Sequence, residues 1–81
     1  MIVQVRVFAM VREMVGAETI ELEVPDAATV SDLRAALLLR YPELKSIERF
    51  LKVAVNADFA GDATVLQAGD EIVVLPPVSG G

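Results

Sequence analysis

The residues of this 81-residue chain with the clearest chemical potential are its last ones, Gly80 and Gly81, reached through Pro76, Pro77, Val78 and Ser79. A carboxylate carried on a tip without side chains passes through a narrow channel and reaches another protein's active site. There it can be activated as an acyl adenylate, then loaded with sulfur or joined to an amine. Pro76-Pro77 ends any strand before it, because proline lacks the N–H that a ladder needs. A polyproline-like segment also loses little entropy on entering a channel. A β-carbon at Gly81 would crowd the acyl carbon and the channel wall.

Elsewhere the side-chain chemistry is sparse. There is no cysteine and no histidine. Disulfides, thiolate metal sites, a cysteine nucleophile, the usual general base and the commonest metal ligand are therefore excluded. Ser31, Ser46 and Ser79 have no histidine to activate them, and Lys45 and Lys52 are the only side-chain amines. The expectation is a chain that is not an enzyme on its own, holds no metal and binds no cofactor permanently, with the Gly81 carboxylate as its reacting group. A net charge of −5 and the lack of a basic stripe argue against nucleic acid. No signal peptide precedes the first strand-like run, and no apolar run reaches membrane-spanning length, so the sequence reads as cytoplasmic.

The elements that must position this tail follow from periodicity. Val3, Val5 and Val7 alternate with Gln4 and Arg6, which predicts a strand over residues 1–8. Ala9 to Val15 has helical spacing of Met10, Val11, Met14 and Val15, with Gly16 as C-cap. Ile20, Leu22 and Val24 alternate with Thr19, Glu21 and Glu23, giving a second strand that pairs with the first as an antiparallel hairpin. Thr29-Val30-Ser31-Asp32 resembles a capping box with Asp in place of Glu. It opens a helix to about Arg40, with Val30, Leu33, Leu37 and Leu38 inward and Asp32, Arg34 and Arg40 off the stripe. Pro42 stops it, and Leu44, Ile47 and Leu51 point inward from the connection that follows. Lys52 to Val55 is a short strand, Asn56-Ala57-Asp58 a turn, residues 59–66 irregular, residues 67–70 a second turn, and Glu71 to Leu75 the last strand. The order is therefore strand, strand, helix, strand, short strand, strand, and one main helix covering one face of such a mixed sheet is an α+β roll of the ubiquitin-like, β-grasp kind. Residues 1–75 form the domain and 76–81 an extended tail.

Ile72, Val73, Val74 and Leu75 are all apolar, yet only alternate residues of a strand reach one face. Two readings stay open. The strand is central and covered by its neighbours, or it contributes, with Phe8 and Phe59, to an exposed apolar patch that docks a partner beside the tail.

Residues 8–13 (Phe8 to Glu13) with Val15-Gly16, then Val53-Ala54-Val55-Asn56, Gly69-Asp70-Glu71 and the ending Pro76-Pro77-Val78-Ser79-Gly80-Gly81 together resemble the small, sulfur-carrier subunit of molybdopterin synthase, over essentially the whole chain. The resemblance implies that an E1-like enzyme uses ATP to adenylate Gly81, and that a persulfide donor converts the adenylate to a thiocarboxylate. The tail then inserts into the large catalytic subunit, and sulfur passes to cyclic pyranopterin monophosphate in molybdenum cofactor biosynthesis. It further implies a heterotetramer, contacts with the large subunit at Phe8, Phe59 and Leu75, and contacts with the activating enzyme at Arg12, Asp70 and Glu71. The alternatives are a ubiquitin-like carrier for thiamine, cysteine or tRNA thiolation, a protein modifier conjugated through Gly81, and an interaction module with an inert tail.

Overall fold

The valine alternation near the N-terminus does form strand β1 (Ile2–Val7), with Val3, Val5 and Val7 buried and Ile2, Gln4 and Arg6 exposed. A computed structural model describes residues 1–76 of the chain. Helix α1 (Ala9–Val15) follows, then β2 (Thr19–Glu23), helix α2 (Val30–Arg40), two 3₁₀ turns (Pro42–Ser46 and Glu48–Phe50), β3 (Lys52–Val55), β4 (Asp58–Phe59) and β5 (Ile72–Leu75). The sheet order is β2-β1-β5-β3-β4. β5 runs parallel to β1 and antiparallel to β3, and the remaining pairs are antiparallel. The expected mixed sheet with a main helix on one face is therefore present, and β5 is its central strand.

Two local devices foreseen in the sequence fix the helices. At α2 the capping box closes in both directions: the Asp32 N–H donates to Thr29 Oγ1 at 3.3 Å, and the Thr29 N–H donates to Asp32 Oδ2 at 2.9 Å. At α1 the Gly16 N–H donates to the Arg12 carbonyl at 2.8 Å with φ +81°, a left-handed conformation that a β-carbon would strain. Leu33 and Leu37 of α2 meet Val5, Val7, Ile72 and Val74 in one core, which Leu44, Leu51 and Leu66 complete. No polar side chain is fully buried among the described residues.

Three expectations are corrected. Residues 59–66 are not irregular throughout, because Asp58–Phe59 pairs with Ala54–Val55. The turn before β4 is thus only Asn56-Ala57, both at positive φ (51° and 73°), the twist that a two-residue hairpin loop requires. The helically spaced residues of α1 divide between core and surface: Val11 is buried, Met14 and Val15 are partly buried against the core, and Met10 is exposed. Arg34 lies off the apolar stripe yet is half-buried. Its Nη2 donates to the Leu51 carbonyl at 2.6 Å and its Nη1 to the Glu48 carbonyl at 3.3 Å. Its Nε sits 3.2 Å from Asp62 Oδ1 without hydrogen-bond alignment. Arg34 thereby satisfies carbonyls in the segment where β3 begins, beyond the reach of β4.

Leu33 is wholly buried beneath the sheet. Leu33→Ala is expected to lower the unfolding free energy by about 3 kcal/mol, from lost transfer energy plus the cavity left behind. Urea denaturation followed by far-UV circular dichroism measures this. A loss below about 1 kcal/mol would mean that the core collapses around the gap.

Candidate functional site

Alternation along β5 decides which face carries the site. Ile72 and Val74 are buried against α2, so Val73 and Leu75 point to the other, uncovered face and are half-buried there. β5 is central, flanked by ladders on both sides, and its outer side chains still reach an open surface.

The register lines up that surface. Thr19, Arg6, Val73, Ala54 and Phe59 form one row across all five strands. In the adjoining row Lys52 lies directly opposite Leu75. Val7 pairs with Val74, so Phe8, one residue on and still extended (φ −134°, ψ 159°), falls beside Leu75 on the same open face. The Arg6 guanidinium lies 5.4 Å from the centroid of the Phe8 ring, which fixes the aromatic against its own strand. With strands about 4.8 Å apart, Phe8 flanks Leu75 on one side of β5. Phe59, 73% exposed, stands two strands away on the other. Phe8, Leu75 and Phe59 thus lie on one face, around the place where the chain leaves the sheet.

Just after Phe8, Ala9 takes φ +50°. This left-handed turn swings the chain off β1 into α1 and leaves Phe8 on the sheet. Pro76 is half-buried at the end of β5. Pro77, Val78, Ser79, Gly80 and Gly81, the rest of the expected insertion segment and its reacting carboxylate, lie outside the described residues.

Of the three charged candidates, Arg12 stands apart on α1, while Asp70 and Glu71 are neighbours just before β5 and both bond Asn56. Arg12 on α1 pairs with Glu18 at 3.2 Å, with both side chains exposed. Asp70 closes the turn before β5: its carboxylate accepts from the Gln67 N–H at 2.7 Å and from Asn56 Nδ2 at 3.0 Å. Glu71 is exposed, and its N–H donates to Asn56 Oδ1 at 3.0 Å. Asn56 was not among the sequence candidates, yet it ties the β3–β4 hairpin to the start of β5. The backbone N–H of Gln67, and then the Asn56 amide, hold the Asp70 carboxyl below the ordinary aspartate range. Among the described residues no group of three or more acidic side chains is placed to hold a metal ion. No helix there is long and apolar enough to cross a membrane.

Comparison with known proteins adds four findings. Residues 5–81 match the ThiS family. The chain is 30% identical over 79 residues to the molybdopterin synthase sulfur carrier subunit of Arabidopsis thaliana, across 98% of this chain and 82% of that protein. The fold superposes on the crystal structure of small archaeal modifier protein 1 from Haloferax volcanii with a TM-score of 0.86 at 30% identity, over the whole of both chains. It also superposes, with a TM-score of 0.69 at 32% identity over both full chains, on a protein from Helicobacter pylori solved as a complex of subunits 1 and 2 of molybdopterin-converting factor.

Asp70 sets a pH dependence whose sign follows from its lowered pKa. Its stabilising contribution is fully present above the unfolded value of about 3.9 and is lost as pH falls through the lower folded value. The stability gap between the native chain and Asp70→Ala should therefore be constant near neutrality and narrow below about pH 4. Denaturation at a series of pH values measures it. A gap that widens on acidification would contradict the assignment.

Proposed function

The chain belongs to the ThiS family, and from that membership we propose that it is the sulfur-carrier subunit of a molybdopterin synthase. One observation carries this reading beyond the family. Residues 76–81 start from the central strand of the sheet, on an open face where Phe8, Leu75 and Phe59 surround the exit. A docking surface and the root of the reacting segment are thus the same place, so seating the face aims the tail.

The chemistry assigns the reacting atoms to Gly81. An E1-like enzyme brings ATP, and the Gly81 carboxylate attacks the α-phosphorus with loss of pyrophosphate. The acyl adenylate carries a good leaving group. The terminal sulfur of a donor's persulfide attacks the acyl carbon and expels AMP, and a thiol opens the resulting acyl disulfide to leave a thiocarboxylate. That group is a strong nucleophile, ionised near neutral pH. It delivers sulfur to cyclic pyranopterin monophosphate in the large subunit, and two such deliveries build the dithiolene. The catalytic groups for the pterin step belong to the large subunit. The lack of histidine and cysteine in this chain supports that division. ATP is consumed by the activating enzyme rather than held here, the working assembly is a heterotetramer, and its place is the cytoplasm. Phe8, Leu75 and Phe59 contact the large subunit, while Arg12, Asp70 and Glu71 contact the activating enzyme.

The likeness to small archaeal modifier protein 1 favours one second reading, conjugation of Gly81 to lysines of other proteins. High-mass conjugates in cells would distinguish it.

Deleting Gly81 should abolish sulfur transfer in a reconstituted synthase while leaving the fold unchanged, because the described core runs from Val3 to Val74. Product formation and thermal unfolding are measured on the same preparation. Full activity of the truncated, folded chain would refute the carrier function.

A further inference from the structure

The chain has seven lysines and arginines against twelve acidic residues. Three of those seven cations nevertheless line one groove of about 570 Å³ at the β3–β4 end of the sheet. Its apolar part is Leu51, Val53, Phe59 and Ala60; Arg49 and Lys52 stand over it, and Arg34 forms part of its wall. Among the described residues no carboxylate lines it. Arg34 is engaged with Asp62 and with two backbone carbonyls. Arg49 packs its guanidinium 4.9 Å from the centroid of the Phe50 ring. Neither Arg49 nor Lys52 forms an ion pair with a carboxylate among the described residues. Both cations are exposed.

Two of these lining residues also belong to the docking face. Phe59 ends the five-strand row, and Lys52 lies opposite Leu75 at the root of the tail. The groove is therefore continuous with the docking face. Resting on the carrier reading above, we propose that it receives a segment of the large synthase subunit that carries a carboxylate beside an apolar side chain. The carboxylate sits between Arg49 and Lys52, and the apolar group lies on Phe59 and Ala60. The groove is shallow and open, which suits a protein segment better than an enclosed small ligand.

Charge gives the contact its purpose. An apolar face around the end of β5 supplies affinity but little to stop the partner rotating on that face. The large subunit must bind an anionic phosphate substrate and an anionic thiocarboxylate, so its pocket is basic and the net charge of −5 steers this chain toward it. Three of the seven cations gathered in one groove of a chain with net charge −5 match an acidic segment at a single orientation. The groove sets the register in which the tail meets the pocket.

The test uses the full chain and the purified large subunit of its own molybdopterin synthase. Lys52 is one of only two lysines, so a zero-length carbodiimide, which joins an amine directly to a carboxylate, reports on it cleanly. Peptide mapping should find Lys52 joined to an aspartate or glutamate of the large subunit, and Lys45 not joined. Lys52→Glu should weaken binding about tenfold at low salt, with the difference shrinking as salt rises. Lys45→Glu makes the same change of charge outside the groove and should shift affinity less than about twofold. If the complex forms and Leu75→Glu weakens it, but Lys52 is not cross-linked and Lys52→Glu matches Lys45→Glu, the groove proposal is wrong and the carrier reading stands. If the native chain does not bind the large subunit at all, both fall.

Discussion

The structure depends on holding β5 from both edges. β1 pairs with it in parallel on one side and β3 antiparallel on the other. A strand so placed must be apolar inward, and Ile72 and Val74 plug the core beneath α2. Its last outward residue, Leu75, is then fixed by the ladder to within the spacing of a hydrogen bond, and the chain continues from there into Pro76 and the tail. A carrier needs this because the reacting atom lies several residues beyond the fold. Any looseness at the root would be multiplied at the tip. Anchoring on an edge strand would leave one row of backbone groups unpaired and the root free to fray.

The surrounding features serve the same constraint. α2 is set by its capping box and tied by Arg34 to the segment from which β3 begins, so the strand opposite Leu75 is held from above as well as from the side. Asn56 and Asp70 join the β3–β4 hairpin to the start of β5. The left-handed Ala9 turns the chain away from the sheet and leaves Phe8 next to Leu75. Most of these are polar contacts between a side chain and the backbone, and the Asn56–Asp70 bond joins two side chains. They contribute little burial and much positioning.

Periodicity made much of this legible. The β1 valines, the Ile20-Leu22 alternation, the Thr29–Asp32 box and the stop at Pro42 each act within a few residues, and the structure contains all of them. The outward direction of Phe8 was readable because it breaks step with Val3, Val5 and Val7. Contacts between distant segments were not readable. Arg34 looked like a solvated residue on the polar side of a helix, because its carbonyl partners at Glu48 and Leu51 follow two 3₁₀ turns whose path no local pattern fixes. Asn56 looked like an ordinary turn residue, because Asp70 lies fourteen positions on and meets it only after β5 has inserted between β1 and β3. A short strand before the last one is part of the order read from the sequence, but its bounds were not readable, because Asp58–Phe59 is two residues long and has no period. The cationic groove was hidden for the same reason: Arg34 on α2 meets Arg49 and Lys52 only through the path of the two 3₁₀ turns that lie between them.

The central claim is that Gly81 carries sulfur as a thiocarboxylate. The chain contains no cysteine, so a thiol alkylator has no side-chain thiol to modify. Alkylation also avoids an ambiguity of mass alone, since exchanging oxygen for sulfur resembles the oxidation of Met1, Met10 or Met14. Protein isolated from sulfur-replete cells should be alkylated and its peptides mapped by mass spectrometry. The account predicts label on the C-terminal peptide. Absence of label there, even after incubation with ATP, the activating enzyme and a sulfur donor, would contradict it.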